Sequence, residues 1–321
     1  MQFLTVLTRP FKVLKHALFV LMILILAGCH KSTENGNGHL LIREAQLYYT
    51  AMGSGDPIIV LHGGPGFGHT YLLPWLEPLA KTHRLIFFDQ RASGKSLPDI
   101  DPKTVTLNDM IDDIDAIRES FGAKKVHVLG HSWGALLAMQ YALRYPEHCQ
   151  SLLLLNSSAA STEMMRETSN AVNGRFTEQD GLDQQKIMQS EAFSRREPAA
   201  IESYFKTVFK ASVFDRAMAD KLNFGFDFNY GKNAELLQNL ATEMSNFDLY
   251  PEMHKIKTPT LVVFGDHDPT PPQAGSPIHT NIAGSELIII QDCGHFPFLE
   301  RPEKFLEVTT TFLDKYPIGG R

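Results

Sequence analysis

Cysteine is scarce in this chain: three occur in 321 residues, Cys29, Cys149 and Cys293, too few and too scattered for the disulfide frameworks that staple small exported domains. Excess basic charge is also lacking. Thirty Lys and Arg stand against 36 Asp and Glu, and no basic stripe interleaved with aromatics is present to track a phosphate backbone, so nucleic acid is excluded as a partner. The pairs Lys124-Lys125 and Arg195-Arg196 read as solvated surface. There is no H-E-x-x-H, no cysteine pair at metal-ligand spacing and no carboxylate cluster, so the sequence asks for no metal and no cofactor. Internal repeats are absent.

What is present is ordinary globular composition, 43% hydrophobic and 21% charged, long enough for one large core or a core with an insertion. The first 28 residues differ from the rest. Arg9, Lys12 and Lys15 precede an apolar run from Ala17 to Leu26 that ends in Leu26-Ala27-Gly28-Cys29, the layout of a secretory signal too short to remain as a membrane span. Its end resembles the bacterial lipobox, which implies cleavage before Cys29 and lipidation of that cysteine. The expectation is an exported protein, lipid-anchored to a bacterial membrane with its folded domain outside the cytoplasm, on the periplasmic side in a Gram-negative host. The competing reading is an uncleaved anchor or an ordinary buried cysteine. Cleavage leaves 27 basic against 36 acidic residues, a net charge of −9, so contact with anionic lipid would come through acyl chains alone. Cys149 and Cys293 are expected to be free and buried.

Residues 29–39, containing Asn-Gly-Asn-Gly, read as a flexible tether. Beyond it, short apolar runs recur at Pro57–Leu61, Arg84–Phe88, Lys125–Leu129, Ser151–Leu155, Thr260–Phe264 and Glu286–Ile290, the pattern of strands buried on both faces of a parallel sheet. Between them, Leu107, Ile111, Ile114, Ile117 and Phe121 repeat at helical spacing, with Thr106 and Asp109 as a capping-box-like start and Gly122 as a stop. A second helix runs from Ser132 to Tyr145, before Pro146. Strands alternating with helices predict an α/β domain with crossover connections. The alternation lapses for about a hundred residues, where Met164, Met165, Phe205, Val208, Phe209 and Phe214 fall in helix-like patterns. The expected division is a core of 40–157 and 252–321 with a helical cap, 158–251, inserted after the strand Ser151–Leu155.

The strongest local signal is Gly130-His131-Ser132-Trp133-Gly134, between a strand and a helix rich in small residues. It resembles the nucleophile elbow of α/β-hydrolases. The turn strains the serine, and its glycines are needed because strand and helix approach too closely for side chains. The alternative is a glycine-rich turn with a surface serine. A hydroxyl needs a base, and the base an orienting carboxylate. In this fold the chain order is Ser, then Asp or Glu, then His, at strand C-termini. Gly265-Asp266-His267-Asp268 and Cys293-Gly294-His295 follow the last two apolar runs, making Ser132, His295 and one of Asp266 or Asp268 the candidates. His131 is too constrained by the elbow to serve as base, and His127 reads as a strand residue. An oxyanion needs donors: the Trp133 amide at the helix start, and an amide of Gly63 or Gly64 in the loop His62-Gly63-Gly64-Pro65-Gly66. His62 reads as ordering that loop.

Three segments together, His62 to Gly66, Asp89-Gln90-Arg91-Ala92-Ser93-Gly94-Lys95-Ser96 and Gly130 to Gly134, resemble the proline iminopeptidase (prolyl aminopeptidase) family of α/β-hydrolases over residues 40–155 and 255–315. Ala92 departs from it, standing where the family commonly has glycine. The resemblance implies an α/β-hydrolase fold: a mostly parallel central sheet flanked by helices, with an inserted helical cap. It selects Asp268 as the acid and leaves Asp266 as a turn residue. It implies a cofactor-free peptidase that releases an N-terminal residue, often proline, through an acyl-enzyme on Ser132. Cap carboxylates would hold the substrate's ammonium, because a buried ammonium must be paired. The match weakens in the cap, where Glu202 is the candidate and Glu163, Glu235 and Glu243 stay open. The alternative is a carboxylic-ester or lactone hydrolase with the same triad; a third reading is a non-catalytic lipoprotein scaffold. The expected partners are a small peptide or ester substrate and a membrane, with the oligomeric state undetermined.

Overall fold

A computed structural model of the chain describes residues 35–270 and 272–319, with the side chains of 272–276 outside that description. The lipobox and Cys29 lie outside the described residues. Eight strands form one sheet: β1 (Gly36–Ile42), β2 (Ala45–Gly53), β3 (Asp56–Leu61), β4 (His83–Phe88), β5 (Val126–His131), β6 (Cys149–Leu155), β7 (Thr260–Gly265) and β8 (Glu286–Ile290). Their order is β1-β2-β4-β3-β5-β6-β7-β8, antiparallel at β1/β2 and β2/β4 and parallel elsewhere.

The central parallel strands are mostly apolar because both of their faces are covered. Ile59 and Leu61 pack into one buried cluster, while their neighbours Ile58 and Val60 pack into the other on the opposite face, as a period of two requires. Helices α1 (Leu107–Ser120) and α2 (Trp133–Arg144) supply the crossovers around β5. The Thr106 side chain caps α1 by accepting from the Asp109 amide, and Gly122 beyond its end has a φ of 66°. Helices α3 (Thr162–Asn173), α4 (Glu178–Met188) and α5 (Pro198–Phe209) belong to the insertion between β6 and β7. Two further helices, α6 (Pro272–Asn281) and α7 (Pro302–Lys315), flank β8 in sequence. Among the described residues no helix is long and apolar enough to cross a membrane.

One boundary differs from expectation. Gly36 to His39, assigned to the tether, are the opening residues of β1 and pair with Tyr48 to Ala51. The hairpin was hidden because its turn residues, Arg43 and Glu44, take φ of 43° and 71° without being Gly or Asn. A turn with positive φ at both centres ordinarily announces itself by those residue types. Cys149 and Cys293 are free and buried, and burial pushes the Cys149 thiol up to about 12, which leaves it inert as a nucleophile.

Candidate active site

Ser132 sits between β5 and α2 with φ 55° and ψ −117°, the strain expected of an elbow. A Cβ on Gly130 would overlap the Gly134 carbonyl, and one on Gly134 would overlap the Leu61 carbonyl. Glycine at these positions is therefore a condition for β5, α2 and β3 to pack as they do. The Trp133 amide opens α2, where no helical carbonyl precedes it.

Asp268 and His295 come from the loops after β7 and β8 and meet at one end of the sheet. The His295 Nδ1 lies 2.9 Å from Asp268 Oδ2. That carboxylate is 1% exposed and also accepts from the Thr270 amide at 2.7 Å and from the Asn156 side chain. With Asp268 acting as acceptor, Nδ1 carries the imidazole proton and Nε2 is left with a lone pair. Asp266 instead accepts from the Cys293 amide and contacts His267, as a turn residue would.

Ser132 and His295 line one cavity of about 270 Å³. Among the described residues they are not hydrogen-bonded to one another, and Ser132 Oγ instead lies 3.4 Å from Ser158 Oγ. Such bonds commonly tighten only when substrate is bound. Among the described residues the remaining walls are Ser158, Ala159, Met165, Thr168, Ser169, Val172, Phe209, Ser212, Pro269 and Thr270, all uncharged.

The glycine loop runs beside Ser132: a Cβ on Gly63 would stand 3.2 Å from Ser132 Cβ. Of its two candidate amides, Gly63's is donated to the Tyr71 hydroxyl at 2.7 Å. Among the described residues the Gly64 amide has no hydrogen-bond acceptor, so of the two it is the one with a donor to spare. His62 orders the loop, with Nδ1 2.7 Å from the Gly63 carbonyl and Nε2 accepting from the Gln90 amide. Gln90 also bonds the His62 carbonyl and the Trp133 indole, and Arg91 forms a buried two-pronged pair with Asp113. The Asp-Gln-Arg segment thus braces the loops around the site. Ala92 has φ 55°, a conformation glycine takes freely and alanine only at a cost of about 1–2 kcal/mol, which explains why glycine suits that position.

Glu202 does not reach the cavity: it lies on α5 and accepts from the Phe224 amide at 3.0 Å. Glu235 pairs with Arg196 and Glu243 accepts from the Leu107 amide; Glu163 is exposed. Instead of carboxylates, the cap sets aromatic rings against the glycine loop. Phe67 lies 4.8 Å from Phe224 and 5.0 Å from Phe205, centroid to centroid.

Three contributors gave no sequence signal. Asn156 takes φ 44° after β6 and bonds both Asp268 and the Gly294 carbonyl. Glu300 is buried and accepts from the amides of Gly294, Phe296 and Phe214, clamping the His295 loop from both sides. Tyr71 stands eight residues past Gly63 in a one-turn helix, His69–Tyr71. Each acts on residues distant in sequence or on backbone groups, which leaves no spacing to read.

A protein-family model described as the alpha/beta hydrolase fold matches residues 56–302. The proline iminopeptidase of Saccharolobus solfataricus is 25% identical over 286 residues, covering 83% of this chain and 87% of that protein. Among solved structures, the proline iminopeptidase of Mycobacterium smegmatis superposes with a TM-score of 0.64 at 21% identity, over 87% of this chain and 98% of its own. An N-acyl homoserine lactone degrading enzyme superposes with a TM-score of 0.62 at 26% identity, over 86% and 100%. Since the family match runs from the first parallel strand through the loop that carries His295, the chain belongs to the α/β-hydrolase fold family.

Proposed function

We propose that the chain is a serine hydrolase that cleaves carboxylic esters or lactones through an acyl-enzyme. His295 Nε2 takes the Ser132 proton as Oγ attacks the carbonyl carbon. Asp268 holds the imidazole in the required tautomer, and the Gly64 and Trp133 amides receive the negative charge that develops on the carbonyl oxygen. The imidazolium then protonates the leaving alcohol, and water activated by the same base releases the acid.

The observation that carries the choice of substrate is that no described residue lining the cavity around Ser132 and His295 is a carboxylate. In an aminopeptidase the substrate's ammonium lies two bonds from the carbonyl under attack, so a carboxylate must line the same cavity. An ammonium desolvated there without one costs several kcal/mol. An ester or lactone carries no such charge and suits walls of small hydroxyls, alanine, valine and phenylalanine. The lactone-degrading relative at 26% identity is in keeping with this reading. Release of an N-terminal residue is the second reading, favoured by relatives named proline iminopeptidase.

Purified protein tested on p-nitrophenyl butyrate, an N-acyl homoserine lactone, proline p-nitroanilide and its N-acetylated form is expected to turn over the first two. Turnover of free proline p-nitroanilide alone, lost on acetylation of its amine, would establish the aminopeptidase instead. Modification of Ser132 by a fluorophosphonate is expected under either reading; failure to label it with the protein folded would remove both.

The location is proposed on the sequence of residues 1–29: export, cleavage before Cys29 and lipid anchorage through that cysteine. Expressed in a bacterium, the wild-type chain is expected to partition with membranes and incorporate labelled palmitate. Cys29→Ser should lose the label, and a mutant that kept it would refute the anchor.

A further inference from the structure

Two buried side chains that take no part in the proton transfers above connect the glycine loop to the base loop. His131 Nε2 lies 2.8 Å from the carbonyl oxygen of His295. That oxygen can only accept, so Nε2 carries the proton, and Nδ1 of the neutral ring is left as an acceptor. Tyr71 Oη is 2.7 Å from that Nδ1 and donates to it. Having given its proton to His131, the phenol oxygen receives the Gly63 amide, also at 2.7 Å. Every group is satisfied in one direction only: Gly63 N–H to Tyr71, Tyr71 O–H to His131, His131 N–H to the His295 carbonyl.

We propose that Tyr71 and His131 are positioning residues, a one-way hydrogen-bond relay that fixes the glycine loop relative to Ser132 and locks it to the backbone of the base. The inference rests on the serine-hydrolase reading for its catalytic consequence. Gly63 and Gly64 have no side chains with which to anchor themselves, and Gly64 sits at φ 129°, so the loop must be held by its backbone groups. Tyr71 holds the Gly63 amide, and His62 holds the Gly63 carbonyl at 2.7 Å. Because the peptide unit between Gly63 and Gly64 is planar, fixing that carbonyl also fixes the direction of the Gly64 N–H. The relay therefore assigns the two amides different tasks, with Gly63 bonded inward and Gly64 left for the oxyanion. The groups around His131 fit this role: the rings of Tyr71, His295, Phe296 and Phe298 pack against it, with the His295 ring 4.9 Å away centroid to centroid.

Tyr71→Phe deletes one oxygen and breaks the relay at its centre. Its kcat is expected to fall about 10- to 100-fold, the scale of a misplaced catalytic group, with KM changed less than threefold. Affinity for a trifluoromethyl ketone, which forms a tetrahedral adduct on Ser132, should fall by the same factor as kcat/KM. A protein weakened only in its fold would not show that parallel. Folded Tyr71→Phe with wild-type kcat and wild-type ketone affinity overturns the proposal. If Tyr71→Phe does not fold, two His131 variants carry the same test. His131→Asn keeps an acceptor for Tyr71 and loses the donor to His295, and His131→Gln does the reverse. Both should show the loss, and wild-type kcat in either overturns the relay. Imidazole nitrogen shifts in Ser132→Ala separate this proposal from the activity itself. His131 protonated at Nε2 supports the relay, and protonation at Nδ1 refutes it, whatever reaction Ser132 performs.

Discussion

Ser132→Ala is expected to lower kcat about 10⁶-fold and Asp268→Asn about 10⁴-fold, with the double variant no worse than Ser132→Ala alone, as groups acting as one unit behave. The first removes the atom proposed to carry the acyl group. The second is informative because of what surrounds the carboxylate. Oδ1 accepts from the Thr270 amide, and Oδ2 from His295 and Asn156, so every neighbour is a donor. An amide at 268 must turn its NH₂ toward one of them. If it faces His295, the ring moves its proton to Nε2 and cannot receive that of Ser132. If it faces Thr270, two N–H groups collide. Steady-state rates on whichever panel substrate is turned over, with thermal melts to show retained folding, decide the matter. Asp268→Asn within tenfold of wild type would displace Asp268 from the mechanism.

Stability is expected to fall steeply as pH drops from about 6.5 toward 4. Burial holds His62 and His127 down at about 4 and keeps His131 well below its ordinary value, with the nearby His295 adding to the effect. In the unfolded chain all three titrate near 6.5. Below that pH the unfolded state takes up protons the folded state refuses, so stability present at pH 7 is lost on acidification. Asp113 works in the opposite sense. Burial pushes it up to about 6 against the hydrogen bonds of Arg91, so between pH 6 and 4 the folded state holds a proton the unfolded state lacks. Together these four groups leave a net uptake of about two protons on unfolding near pH 5, a slope of roughly 3 kcal/mol per pH unit. Urea midpoints at pH 7, 6 and 5 measure it. His127→Gln should flatten the slope by about 1 kcal/mol per pH unit, and a midpoint constant from pH 7 to 5 would contradict the account.

Much of the framework was legible in the residues. The apolar runs that became β3 to β8 could be read because a strand buried on both faces needs no partner to declare itself. The first two strands could not, since β1 and β2 are half-exposed and their turn uses Arg43 and Glu44. The elbow was legible because its glycines answer to a local steric demand. The assignment of Gly63 or Gly64 as donor was not, because it depends on Tyr71, whose hydroxyl reaches the loop only after β3 and the His69–Tyr71 turn fold against each other.

By itself the sequence determined the apolar strands from β3 onward, the crossover helices around β5 and the strained serine. Each of these is written in local sterics or in the period of apolar residues. Tertiary structure alone decided that Glu202 bonds within the cap, that Asn156 and Glu300 brace Asp268 and the His295 loop, and that no carboxylate is among the described residues lining the cavity around Ser132. Those outcomes depend on which side chains from distant segments reach the same few ångströms, and charge in a cavity is a property of all its walls at once.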